Sequence, residues 1–104
     1  MTTAARRPTT VVVDDKAREV RVEGRPVALT HQEFDLLRVL MANPDAAWGR
    51  SRLLEAAWKD DPYVTVRTVD VVIAALRKKF ERDAEQPQYI LGNPQAGYRF
   101  VDAG

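Results

Sequence analysis

The sequence predicts an α+β domain in which a small N-terminal antiparallel β-sheet is followed by three helices and a C-terminal β-hairpin. Three observations predict it. Short β-rich runs punctuated by turn residues occupy positions 11–29, and apolar residues at helical spacing dominate from about 30 to 82. After Pro87, two aromatic-containing runs flank Gly92-Asn93-Pro94-Gln95-Ala96-Gly97, a stretch of turn formers.

Each element has its own signal. Residues 1–9 are small, polar and basic and read as a flexible tail or linker remnant, leaving 10–102 for the domain. Val11-Val12-Val13 stops at Asp14-Asp15, Arg18–Val22 alternates polar with apolar, and Glu23-Gly24 is a turn leading to Pro26–Leu29. Thr30 and Glu33 form a capping box ahead of Phe34, Leu36, Leu37 and Leu40, and Pro44 ends that helix at Asn43. A second helix fits Arg50–Trp58 with Gly49 as its N-cap, and residues 59–64 form a loop. A third runs from Thr65 to Arg82. Tyr89–Leu91 and Tyr98–Val101 are the hairpin strands, with Tyr98 and Phe100 inward and Arg99 outward.

Composition bounds the chemistry. The chain has 104 residues, a formal net charge of +1, no cysteine and one histidine. That removes disulfides, thiolate metal sites and thiol nucleophiles, and leaves no multi-histidine metal site within one chain. His31 reads as an exposed polar residue in a first helical turn. Ser51 has no base partner, and no glycine-rich phosphate loop occurs. No catalytic residue, metal ligand or cofactor site is expected. No apolar run approaches a membrane span, so the chain reads as a soluble, cytoplasmic domain. Asp70 reads as a first-turn residue favoured by the helix dipole, and Trp48 and Trp58 as core anchors.

The third helix has two faces. At 100° per residue, Val69, Ile73, Leu76 and Phe80 fall on a stripe under roughly 70° wide, the core side. Opposite lie Arg67, Thr68, Val71, Ala74, Ala75, Lys78 and Arg82, with Arg77 and Lys79 on the flanks. A helix packed on one side and cationic at its margins has the shape that enters a DNA major groove. The alternative from periodicity alone is an amphipathic surface helix whose basic residues merely solvate it.

LTHQEFDLL (29–37), RSRLLEAAW (50–58), RTVDVVIAALRKKF (67–80) and AGYRF (96–100) resemble, in order and spacing, the landmarks of C-terminal domains of OmpR/PhoB-type bacterial response regulators. The resemblance implies a winged helix-turn-helix: a four-stranded N-terminal sheet, three helices and a hairpin wing. It implies a transcriptional regulator of a two-component system that binds double-stranded DNA, with the third helix in the major groove and the 92–97 wing near the minor groove. The helical wheel and the resemblance together mark Arg67, Thr68, Val71, Ala74, Ala75, Arg77, Lys78, Lys79 and Arg82 as DNA-binding positions. Among these, Arg67 and Thr68 would touch backbone, Val71 would meet thymine methyls, and Arg77 and Lys78 would hold phosphates or a base edge. Trp58, Ile73, Leu76 and Tyr98 would be structural. Further implied partners are RNA polymerase through the 59–65 loop, a receiver domain, and a second copy in tandem on repeated half-sites.

The chain departs from the family pattern at Val72, where histidine is usual, at Ala74 and Ala75, and in the wing, where Pro94 stands in place of an arginine. These departures support an alternative of a different class: a winged-helix protein-interaction module docking through Val71, Ala74 and Ala75, joined by Val72. Val11–Asp15 also resembles the opening of a receiver domain. No later phosphoacceptor strand supports that reading, and the aspartates read as a strand-ending turn.

Overall fold

In the computed structural model, which describes residues 11–59 and 61–101, strands β1 (Val11–Asp14), β2 (Glu19–Val22) and β3 (Arg25–Val27) form an antiparallel sheet in that order. The pairing Val11↔Val22 and Val13↔Val20 puts Val11, Val20 and Val22 on the buried face and leaves Val12 outside. Asp14 closes the first turn by accepting the N–H groups of Lys16 and Ala17, both at 3.1 Å. Glu23 and Gly24, at φ 53° and 80°, supply the left-handed pair that a two-residue hairpin requires. The four-stranded sheet implied by the family resemblance is three-stranded among the described residues. The expected 1–9 tail falls outside them.

Helix α1 spans His31–Ala42. The Thr30 hydroxyl accepts the Glu33 N–H at 3.2 Å and the Glu33 carboxylate accepts the Thr30 N–H at 2.9 Å, so both halves of the capping box form. It stops at Asn43, before Pro44, as expected. Helix α2 spans Arg50–Trp58 behind Gly49. Helix α3 spans Val66–Phe80, and strands β4 (Ile90–Asn93) and β5 (Gly97–Phe100) pair as an antiparallel hairpin.

The helices pack on one another, and α1 also meets β5. Phe34, Leu36, Leu37 and Leu40 from α1 join Leu53 and Trp58 from α2 and the α3 stripe Val69, Ile73, Leu76 and Phe80, all buried. The hairpin closes the core with Ile90, Tyr98 and Phe100, and Tyr89 stacks on Phe100 with ring centroids 6.3 Å apart. Segment 45–48 lies along β5: Trp48 exchanges two backbone hydrogen bonds of 2.8 Å with Tyr98, and Asp45 donates to the Phe100 carbonyl at 2.9 Å. Gly97 allows that approach. Its φ is 88°, and a Cβ there would collide with the Trp48 carbonyl.

Three expectations for α3 are corrected. The helix ends at Phe80, not Arg82, because Glu81 swings to ψ 146° and turns its carboxylate onto the N–H groups of Gln88, Tyr89 and Ile90 at 2.7–3.2 Å. Three charge-assisted bonds outweigh the small intrinsic preference of Glu81 and Arg82 for helix. Arg82 therefore leaves the helix face and pairs with Glu23 at 2.8 Å. Val72 is 6% exposed and belongs to the core, not to an outer apolar patch. Asp70 is the fifth helical residue, beyond the first turn, so the helix dipole does not define its role.

Candidate nucleic-acid interface

One side of α3 is sunk in the core; the other is open. Arg67, Val71, Ala74 and Lys78, at spacings of four, three and four, are all exposed and lie along a single stripe. Val71 keeps 59% of its surface accessible, one of three large apolar residues so exposed among the described residues. A cation thus stands at each end of the stripe with methyl groups between. Thr68 and Ala75 sit on one shoulder of the stripe, half-buried. The Thr68 hydroxyl accepts the Thr65 N–H at 3.4 Å, and the Thr68 N–H donates to the Thr65 carbonyl at 2.8 Å.

The remaining candidate cations are committed elsewhere. Arg77 donates through Nε to the Ile90 carbonyl at 3.0 Å and through Nη2 to the Gly92 carbonyl at 2.9 Å. Its guanidinium carbon also lies 5.5 Å from the Tyr98 ring centroid. Lys79 reaches back to Glu33 at 2.7 Å. Burial raises the Glu33 pKa, but the Lys79 ammonium and the Thr30 N–H outweigh it and hold this carboxyl below its ordinary value of 4.5. Of the nine positions marked in the sequence, four therefore form the open stripe, two flank it, and Arg77, Lys79 and Arg82 brace the fold.

The hairpin stands beside α3, fixed by a chain of side chains. Asp70 accepts Arg50 at 2.8 Å through one carboxylate oxygen and the Tyr98 hydroxyl at 2.9 Å through the other. Burial, followed by the bond to Asp70, pushes the Tyr98 pKa up to about 12. As the alternation predicts, Tyr98 and Phe100 point inward and Arg99 outward. At the tip, Asn93 Oδ1 accepts the N–H groups of Gln95 and Ala96 at 2.9 and 2.8 Å, so the loop is an Asx turn around Pro94. The Arg50–Asp70–Tyr98 chain was invisible in the sequence, since its members lie 20 and 28 residues apart with no local pattern. Arg99, exposed on the wing, is signalled in the sequence only by the strand alternation that turns it outward.

The family model described as "Transcriptional regulatory protein, C terminal" matches residues 24–100. The chain belongs to that family. A probable transcriptional regulatory protein of Picosynechococcus sp. is 41% identical over 81 residues, covering 78% of this chain and 32% of that protein. Among solved structures, the response regulator DrrB of Thermotoga maritima, described as an OmpR/PhoB homolog, superposes with a TM-score of 0.78 at 35% identity, over 88% of this chain and 42% of that one. The DNA-binding domain of Klebsiella pneumoniae RstA, solved in complex with the RstA box, gives 0.76 at 32% identity over 88% and 91%. This chain spans less than half the length of the Picosynechococcus and Thermotoga proteins. No helix among the described residues is long and apolar enough to cross a membrane.

Proposed function

We propose that this chain is the duplex-DNA-binding output domain of a transcriptional regulator, with α3 lying in the major groove and the β4–β5 wing over the adjacent minor groove. One observation carries the reading: the exposed stripe Arg67–Val71–Ala74–Lys78 runs along a helix whose opposite side is wholly buried. Arg67 and Lys78 are eleven residues apart, roughly 16 Å along the axis at 1.5 Å per residue, a separation suited to phosphates on the two edges of a groove. Val71 and Ala74 between them offer methyl surface to thymine. The likeness to a DNA-binding domain solved in complex with its box supports DNA binding. A preceding receiver domain, contact with RNA polymerase through the 59–65 loop, where Tyr63 is 89% exposed, and tandem binding to repeated half-sites belong to the same proposal.

Titration of a mixed-sequence duplex at several salt concentrations tests it. Arg67, Lys78 and the wing's Arg99 would neutralise two to three phosphates, giving a log–log salt slope of about −2 to −3. Undetectable binding at low salt, or binding indifferent to salt, would refute the reading. The protein-docking alternative has lost ground, because Val72 is buried and the apolar surface on α3 shrinks to Val71, Ala74 and part of Ala75.

A further inference from the structure

The fold uses Arg77 in a way that its place in a basic run disguises. Its Nε–H and Nη2–H are spent on two carbonyls of one wing strand, Ile90 and Gly92. These residues are two apart on β4, so both carbonyls point to the same edge of the strand. The planar fork of the guanidinium can meet both at once, whereas an ammonium, a point charge on a flexible stem, cannot. The same guanidinium faces the Tyr98 ring on β5, and the Tyr98 hydroxyl returns to α3 through Asp70. Helix and wing are therefore joined at two places, through Arg77 to β4 and through Asp70 to β5. Gly92 is required by the hairpin itself: its φ is 111°, and a Cβ would strike the Gly97 carbonyl on the facing strand.

We infer that Arg77 is a positioning residue that sets the wing against α3 before DNA arrives, and that it is not one of the phosphate contacts. The inference rests on the duplex-binding reading above and assigns Arg77 a role within it. A rigid two-part surface loses less conformational freedom on binding than one whose wing must be ordered by the duplex.

The test uses the whole chain and a mixed-sequence duplex. Arg77→Lys keeps the charge and removes the fork. For a brace, its affinity falls at least about tenfold, the equivalent of one lost charge-assisted hydrogen bond, and the salt slope stays that of the unsubstituted chain. For a phosphate contact, Arg77→Lys binds nearly as well as the parent and Arg77→Gln shallows the slope by about one unit. Either of those results overturns the inference. Should both variants fail to fold, NMR of the unsubstituted chain decides. A through-hydrogen-bond coupling from Arg77 Nε–H to the Ile90 carbonyl that survives duplex addition supports the brace, and its loss on addition refutes it. Failure of the unsubstituted chain to bind duplex at low salt is a different result, which removes the DNA reading itself.

Discussion

At the scale of single residues, charge alone is a poor guide to role. Lys78 and Lys79 are neighbours in sequence, yet one is exposed and the other is held by the buried Glu33. Glu33 has a pH consequence. Its folded pKa lies below its ordinary value of 4.5, so the stability it contributes is present above that value and lost as pH falls through the folded one. Glu33→Gln should flatten the acid limb of a pH–stability curve measured by urea denaturation, and an unchanged limb would mean that Lys79 leaves Glu33 in solution. Tyr98 works in the opposite sense. A phenol raised from 10.0 to about 12 contributes stability that is complete below 10 and disappears as pH rises through the folded value. Tyr98→Phe should remove that alkaline loss and cost about 1–3 kcal/mol near neutrality, since it leaves part of the Asp70 carboxylate unpaired. Tyr98→Ala, which also opens a cavity beside the core, should cost about 2–4 kcal/mol in a thermal or urea melt.

At the scale of elements, α3 is both the spine of the core and the exposed reading surface. The two roles are kept apart by a half-turn of the helix. Between its two end cations, Arg67 and Lys78, the outward stripe has no side chain able to make a bidentate bond to a base edge, a contact that typically discriminates by about 1–3 kcal/mol. Reading through Val71 and Ala74 would depend on thymine methyls and on DNA shape. Replacing thymine by deoxyuridine throughout a preferred duplex should then weaken binding several-fold, and equal affinity for the two duplexes would exclude methyl readout. Ala74→Arg places a third cation between Arg67 and Lys78. It should tighten binding to mixed-sequence duplex and steepen the salt slope by about one unit. If this face docks a protein instead, the same substitution leaves duplex affinity unchanged and weakens the protein complex by burying an unpaired charge.

At the scale of the whole molecule, side chains distant in sequence hold the elements in one arrangement. Lys79 ties α3 to the start of α1, Arg82 ties the end of α3 to the β2–β3 turn, and Asp70 ties α2 and the wing to α3. The Arg82–Glu23 pair is exposed on the arginine side, where water and salt screen the attraction and leave it weak. The buried contacts of Phe80, Ile90 and Phe100 therefore supply more of the adhesion between helices and hairpin than the ion pairs do.

The order of elements, the capping box at Thr30, the stop at Pro44, the limits of α2, the buried stripe of α3 and the inward Tyr98 and Phe100 were all legible in the sequence. Each is set by interactions within one turn or by periodicity along one element, and a linear pattern records both. The end of α3, the burial of Val72 and the engagement of Arg77, Lys79 and Arg82 were decided only by tertiary structure. In each case the deciding partner lies far away in sequence. Glu81 leaves the helix for N–H groups seven to nine residues on, and Arg77 finds wing carbonyls 13 and 15 residues away. Lys79 meets a carboxylate 46 residues earlier and Arg82 one 59 residues earlier. A helical wheel gives the direction in which each cation points; which of them stay free for DNA depends on what the folded chain has placed there.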